Sequence, residues 1–477
     1  MTSDPEDTEK ESPDEAGTVG ASSENESERR MKDDKIQSAL QGATDTQNVT
    51  IGTDVLSTVN DLFAESFGDA KAVVVTDENE FEVAGKEVQR VLEEAGRETV
   101  EPYVFSSTPT LYAEYGNIEA LIESLRGHDA IPVAVGSGTL NDIVKRAAYE
   151  CGRPYMNVAT AASMDGYTAF GASIEYEGAK QTLTCPAPRA VLADVGVLVN
   201  APARMTASGY ADLLGKVTSG ADWLVADALG VEEIDQNGWD LVQDHLHEWI
   251  SKPAELSDGD QETMDGLIEG LIMSGLAMQS YQSSRTASGA EHQFSHLWEG
   301  EGLGRDYDPP LSHGFKVGLG SIAIAALYEL VLERDLANLD VERIQNDWPS
   351  PEEVEEKVRA AHDPPLEDPA VKQALAKYVD KEELGERLEL LREIWPDLRE
   401  KVKDQLMPAA DLRELLRQAG CPTSPEEIGL GREDFKATYR RAQMIRSRYT
   451  ILDLTNEAGI LDECVEELFA PGGFWAS

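Results

Sequence analysis

Ala130-Ile-Pro-Val-Ala-Val-Gly136-Ser-Gly-Thr-Leu-Asn-Asp142 decides the fold. Ala130 to Val135 is an apolar run of strand length, too short for a buried helix, and the glycines at 136 and 138 punctuate it. A helix-patterned stretch through Glu150 follows, so the chain turns from strand into helix across the glycines. The same alternation surrounds it. Lys71 to Thr76 reads as a strand, Val83 to Glu94 as a helix, Tyr103 to Ser106 as a strand and Ile118 to Arg126 as a helix. Tyr155 to Val158 and Val191 to Val199 add two more strands. Strand and helix alternating at this spacing predict an α/β fold with a parallel sheet and crossover helices. Ala201-Pro202 closes the sheet portion, and nearly everything beyond reads as helix. The expected organisation is an acidic, disordered tail over residues 1–45, a parallel-sheet domain over 46–201 and an α-helical domain over 202–477.

Bare amides in the Gly136–Asp142 turn and the helix N-terminus behind it favour anionic oxygen, so a dinucleotide pyrophosphate fits there. The turn departs from G-x-G-x-x-G, because Asn141 stands where the last glycine belongs, and a plain strand-to-helix turn explains the residues equally well. Thr160-Ala-Ala-Ser163 and Met164-Asp-Gly166 follow the next strand, where small residues and hydroxyls suit a ligand pressed against backbone.

Three of the seven histidines, His292, His296 and His313, fall close together. On a helix His292 and His296 share a face one turn apart, and His313 returns from a loop to a new helix. Such a set suits a metal ion with a proton carrier beside it, or a group of hydrogen-bonded core histidines. Asp212, within Met205-Thr-Ala-Ser-Gly-Tyr-Ala-Asp-Leu-Leu-Gly-Lys216, is an acid among small and apolar residues that needs a partner. A cation shared with His292 and His313 would be one; a helix-start charge favoured by the dipole is the other reading.

Ninety acidic residues against 41 basic ones leave a formal charge of −49, which opposes nucleic acid and anionic membrane surfaces as partners. Only twelve of the acids lie in the first 34 residues, so the folded body is itself acidic, as in proteins adapted to a salt-rich cytoplasm. Cys151, Cys185, Cys421 and Cys464 form no paired motif and read as reduced and mostly buried. No apolar run approaches the ~20 residues of a bilayer span and no signal-peptide pattern opens the chain, so the expected location is cytoplasmic.

Gly136-Ser-Gly-Thr-Leu-Asn-Asp142, Thr160-Ala-Ala-Ser163 with Asp165, Ala207-Ser-Gly-Tyr-Ala-Asp212, Ser288-Gly-Ala-Glu-His292 with His296, and Ser312-His313-Gly314 together resemble the sn-glycerol-1-phosphate dehydrogenases, especially their bacterial branch. That family is similar in fold to glycerol dehydrogenase, iron-containing alcohol dehydrogenases and dehydroquinate synthase. The resemblance runs from about residue 50 to 465 and takes in Arg446-Ser-Arg-Tyr-Thr-Ile-Leu-Asp453.

It implies a Rossmann-like NAD(P)-binding domain followed by an all-helical metal-binding domain, and reversible, NAD- or NADP-dependent reduction of dihydroxyacetone phosphate to sn-glycerol 1-phosphate. Another polyol dehydrogenase, or a dehydroquinate-synthase-like lyase, is the alternative on the same fold. It implies one divalent metal ion, zinc or nickel with iron possible, on Asp212, His292 and His313. Asp165, Asp212 and His296 become substrate residues, with His296 and Asp212 catalytic. Asp77, Gly138, Thr139, Leu140, Asn141, Asp142, Thr160, Ala161, Ala162 and Ser163 become nucleotide contacts. Ala169 is a further implied nucleotide contact, standing where the family usually offers a serine hydroxyl to the nucleotide. A homodimer is what the bacterial branch suggests. Lys216 and Arg285 are candidates for the substrate phosphate or for pairing with acids, and Arg432 to Arg448 reads as an acid-paired helix.

Overall fold

The computed structural model describes residues 32, 34–176 and 179–476. Six parallel strands form the main sheet in the order β1-β8-β5-β4-β2-β3: β1 (Asn48–Gly52), β2 (Ala72–Asp77), β3 (Thr99–Phe105), β4 (Ile131–Gly136), β5 (Met156–Ala159) and β8 (Ala190–Asp194). Crossover helices cover both faces. Val73, Val75 and Ala134 pack on one side against the helices Tyr115–Leu125 and α1 (Gly138–Glu150). Val74, Val133 and Val158 pack on the other against Val59–Phe67 and Lys86–Glu94. Burial on both faces is why β4 reads as an unbroken apolar run rather than an alternating one.

Three features depart from the sequence reading. The expected Val191–Val199 strand stops at Asp194, whose side chain accepts from Gly196 N at 2.9 Å and starts the short helix Val195–Leu198. Neither β1, a short edge strand, nor the antiparallel pair β6 (Ala172–Tyr176) and β7 (Ala179–Leu183) was expected. The third departure lies inside the expected tail, where residues 34–42 are helical with Ile36 and Ala39 buried in the helical half, and Gln279 Oε1 accepts from Asp45 N and Thr46 N. The earlier part of that tail, residues 1–31, lies outside the described residues.

Beyond Pro202 the described chain is helical, as expected. The helices that build the site are α2 (Ala203–Leu214), α3 (Lys216–Ala228), α4 (Gln261–Tyr281), α5 (Ala290–Gly300), α6 (His313–Leu332) and α7 (Arg432–Met444). Against the sequence reading, α6 is long and apolar enough by composition to cross a bilayer, but 78% of its apolar window is buried, which makes it the central core helix. Cys185, Cys421 and Cys464 are buried, Cys151 is partly so, and all four are free.

Small residues let these helices approach far closer than ordinary packing allows. A Cβ on Gly209 in α2 would stand 2.1 Å from the Ala162 carbonyl oxygen, and one on Gly314 in α6 would stand 1.9 Å from that of Ser208. The end of β5, α2 and the start of α6 are thus clamped backbone to backbone. Gly314→Ala should cost about 1–3 kcal/mol through overpacking, measured by denaturant unfolding, and should displace the adjoining His313.

Candidate functional site

The carboxyl ends of β2, β4 and β5 open into a cavity of about 1270 Å³ whose other wall is α2, α5 and α6. At its floor, ligand atoms of Asp212, His292 and His313 lie within 4.8 Å of one another. Each is aimed by something specific. His292, in α5, has Nδ1 2.8 Å from Glu291 Oε1, which leaves Nε2 to face Asp212 Oδ1 at 3.5 Å. His313 opens α6 behind the Ser312 cap, and its Nδ1 lies 3.0 Å from Glu299 Oε1 and 3.2 Å from Ser295 Oγ. Carboxylates holding the second ring nitrogens are the usual support of metal-binding histidines, so the donor set fits a divalent cation.

Asp212 is not at a helix start. It sits in the last turn of α2, where the dipole opposes a negative charge, and it is fully buried. Lys216, also fully buried, supplies the compensation: Nζ lies 3.0 Å from Asp212 Oδ1, 2.9 Å from its carbonyl oxygen and 2.8 Å from Asp165 Oδ2. Burial alone would raise the Asp212 carboxyl, but Lys216, His292 and His313 outweigh it and hold the group well below the carboxylate range. Asp165 is tied in by its backbone N–H to Asp212 Oδ2 at 3.1 Å and by the Ser274 hydroxyl at 2.9 Å.

His296 lies one turn beyond His292, with ring centroids 6.1 Å apart and 5.9 Å from His313. Burial, helped by the Arg446 charge, pushes its pKa down to about 3, so the ring is neutral at ordinary pH. Its Nδ1 is 3.7 Å from Glu299 Oε2. Glu299 also receives Lys180 from β7 at 3.0 Å and Lys316 from α6 at 3.8 Å. Burial would raise this carboxyl, yet Lys180 and His313 hold it far below its usual range. Lys316 is itself pushed down to about 8 by burial, against the pull of Glu299.

On the sheet side, Asp77, Gly138, Thr139, Leu140, Asp142, Thr160, Ala161, Ser163, Asp165 and Ala169 line the cavity. Asn141 and Ala162 do not. Asn141 is one turn into α1, fully buried, and accepts from the Tyr155 hydroxyl at 3.0 Å, while Ala162 is the buried contact of Gly209. Asp142 Oδ2 accepts from Ser173 N at 3.0 Å and so anchors β6 beside α1. Neither expected phosphate candidate reaches the cavity. Lys216 spends its ammonium on two aspartates, and the buried Arg285 guanidinium donates to the carbonyls of Tyr449 and Asp222. The late basic stretch divides. Within α7, Arg440 pairs with Asp462 and Glu466, and Arg441 with Glu301. Arg446 and Arg448 lie past its end and line the cavity, with Arg448 bonded to Ser284 and Ser288.

Residues 50–202 match the iron-containing alcohol dehydrogenase family model. The chain is 30% identical over 422 residues to glycerol-1-phosphate dehydrogenase [NAD(P)+] of Bacillus licheniformis, spanning 87% of this chain and 90% of that protein. The chain belongs to the glycerol-1-phosphate dehydrogenase family. The family member of that name from Pyrococcus furiosus is 34% identical over 284 residues, 59% of this chain and 78% of that protein. Among solved structures, glycerol dehydrogenase from Schizosaccharomyces pombe shares the fold at a TM-score of 0.56 and 17% identity, covering 91% of this chain and 93% of that one.

Within this family member, Glu299, Lys180 and Lys316 are charged residues beside the histidines that the motifs did not single out. Glu299 follows His296 by three positions and His292 by seven, so helical spacing alone places it on the histidine face. Lys316 likewise follows His313 by one turn. Lys180 carried no signal, because it arrives on the unexpected strand pair. The Lys216 network yields a direct test. Lys216→Met leaves the fully buried Asp212 and the partly buried Asp165 without a cation and should cost about 3–5 kcal/mol in urea unfolding, with part of the loss recovered on adding zinc.

Proposed function

We propose that the cleft performs NAD(P)H-linked reduction of dihydroxyacetone phosphate to sn-glycerol 1-phosphate, and the reverse. The observation that supports this best is the convergence of Asp212, His292 and His313 on a cavity whose opposite wall is the Gly138–Asp142 turn. A divalent cation on those three residues would polarise the substrate ketone and a nicotinamide cofactor would supply hydride. Two imidazoles and one carboxylate suit zinc or nickel, with ferrous iron also compatible.

The chain's own contribution is position and proton supply. Gly138, Thr139, Thr160 and Ser163 line the proposed nucleotide side of the cavity. Asp165 Oδ2 is committed to Lys216 and Ser274, and Oδ1, with no hydrogen-bond partner among the described residues, is available to a substrate hydroxyl. His296 delivers the proton that turns the reduced ketone into an alcohol, from its ring or from a water it holds. As a neutral imidazole it keeps one nitrogen to donate and one to accept. The acid Asp77 ends β2 beside Glu80, whose carboxyl burial raises to about 7, and both line the cavity. Carboxylates there accept ribose hydroxyls and repel a 2′-phosphate, so NADH is the favoured cofactor. The acidic body is an adaptation to molar salt, which screens its self-repulsion.

Chelator-stripped enzyme in molar potassium chloride should oxidise NADH, faster than NADPH, with dihydroxyacetone phosphate only after zinc or nickel is restored. Absence of oxidation with every metal would refute the proposed reaction. His296→Ala should lower turnover by roughly 10²–10⁴-fold with metal content near normal by atomic absorption. Equal loss of metal would make His296 a ligand instead. Asp77→Ser should narrow the gap between NADH and NADPH.

A further inference from the structure

The proposed substrate carries a phosphate dianion, and this chain has 49 surplus negative charges. Cations at the cleft are therefore notable when they are not spent on acids or carbonyls. Lys216, Arg285 and Arg448 are spent in that way. Lys316 is spent only loosely, in an ion pair with Glu299 at 3.8 Å that is too long for a hydrogen bond. Arg446 and Arg204 are exposed and make no side-chain hydrogen bond or ion pair among the described residues, and all three line the cavity, with Arg446 on the side of Lys316 and His296. Lys316 is only 5% exposed, so its ammonium has lost most of its water without gaining a hydrogen-bonding partner. Such an arrangement is unfavourable unless an anion completes it.

Lys316 and Arg446 share one neighbourhood. Lys316 Nζ is 3.8 Å from Glu299 Oε1, Lys180 Nζ is 3.0 Å from the same atom, and the charge of Arg446 acts on both Glu299 and His296. Two lysines thus share one carboxylate and Arg446 lines the same cavity, so the formal charge of this group is positive beside His296. In dihydroxyacetone phosphate the phosphorus is three covalent bonds from the ketone carbon. Its seat must therefore adjoin the residues that serve the ketone, and this wall does.

We propose that Lys316 and Arg446, with Lys180 beside them, form the seat of the substrate phosphate, one cation coming from each of α6, the loop after α7, and β7. The assignment rests on the reaction proposed above for its substrate, but on the clustering of cavity cations around a single carboxylate for its location. Arg446 supplies the planar fork that grips two phosphate oxygens, and Lys316 a point charge. Glu299 stays between the lysines and the histidines and keeps the seat from collapsing onto the metal ligands.

The test compares kcat/KM for dihydroxyacetone phosphate with that for unphosphorylated dihydroxyacetone in the zinc-loaded enzyme. In Arg446→Leu and in Lys316→Met the preference for the phosphorylated substrate should fall by roughly 10–100-fold, chiefly through KM, and Arg446→Lys should restore part of it. Equal losses for both substrates would overturn the assignment and make these residues supports of the histidines. Calorimetric titration of the zinc-loaded protein with sulfate separates this proposal from the reaction itself. Sulfate bound at least tenfold more weakly by Arg446→Leu supports the seat even if dihydroxyacetone phosphate is not reduced, an outcome that would refute only the reaction. Sulfate bound equally by wild type and variant overturns the seat whatever the substrate.

Discussion

The Lys216 ammonium, fully buried between Asp165 and Asp212, is the constraint on which the site depends. Two carboxylates that belong to different halves of the protein, Asp165 at the cavity edge after β5 and the fully buried Asp212 in α2, repel each other unless a cation stands between them. Lys216 supplies it from the first position of α3, one turn beyond Asp212, so helix geometry alone guarantees its arrival. The same charge keeps Asp212 ionised, and an ionised Asp212 is what makes a third ligand beside two imidazoles chemically useful. The structural ion pair and the proposed metal ligand are therefore the same carboxylate.

Around this centre, sterics and electrostatics act in concert. Gly209 and Gly314 let α2 touch the Ala162 backbone and α6 touch the Ser208 backbone, which fixes the spacing of Asp212 and His313 more rigidly than side-chain packing would. Glu291 and Glu299 then set the orientation of the rings from behind. Both acids are buried and both are held ionised by their cationic and histidine neighbours, so the positive charge of the floor is balanced before any ligand enters. The sheet half contributes comparatively little charge. Its part is a line of small and hydroxyl residues at the strand ends, a setting in which an anionic group would meet dipoles rather than side-chain cations.

Much of this was legible in the amino acids. The apolar run into Gly136-Ser-Gly138 identified the parallel sheet, because a strand buried on both faces has no polar alternation to obscure it. The i, i+4 pair His292 and His296 and the return at His313 identified the floor. The errors have local causes. Asn141 and Ala162 lie within motif stretches, but helix and strand geometry turn individual members inward, and a contiguous motif does not record which ones. Asp212 looked like a helix-start acid because the small residues before it carry no helix signal, although α2 had begun nine residues earlier. Lys216 and Arg285 read as candidates for the substrate phosphate as well as for acid pairing, since burial beside acids or carbonyls is a tertiary fact. β1 and the β6–β7 pair are five-residue strands, too short for a period of two to stand out. The expected tail was bounded by composition, and the helix over residues 34–42 is held by only a few buried apolar residues, among them Ile36 and Ala39.

The strand pair also changes how the cleft must be regarded. β6 and β7 pack on α1 of the sheet half, yet Lys180 crosses to Glu299 in α5, and Arg305 of the helical half pairs with Glu175 of β6. Glu299 is at the same time the hydrogen-bond partner of His313 Nδ1. Any widening of the cleft draws Lys180 away from Glu299 and leaves that carboxylate with more negative charge to share with His313. Mechanical opening is in this sense an electrostatic event, because the ion pair that neutralises Glu299 spans the two halves of the protein.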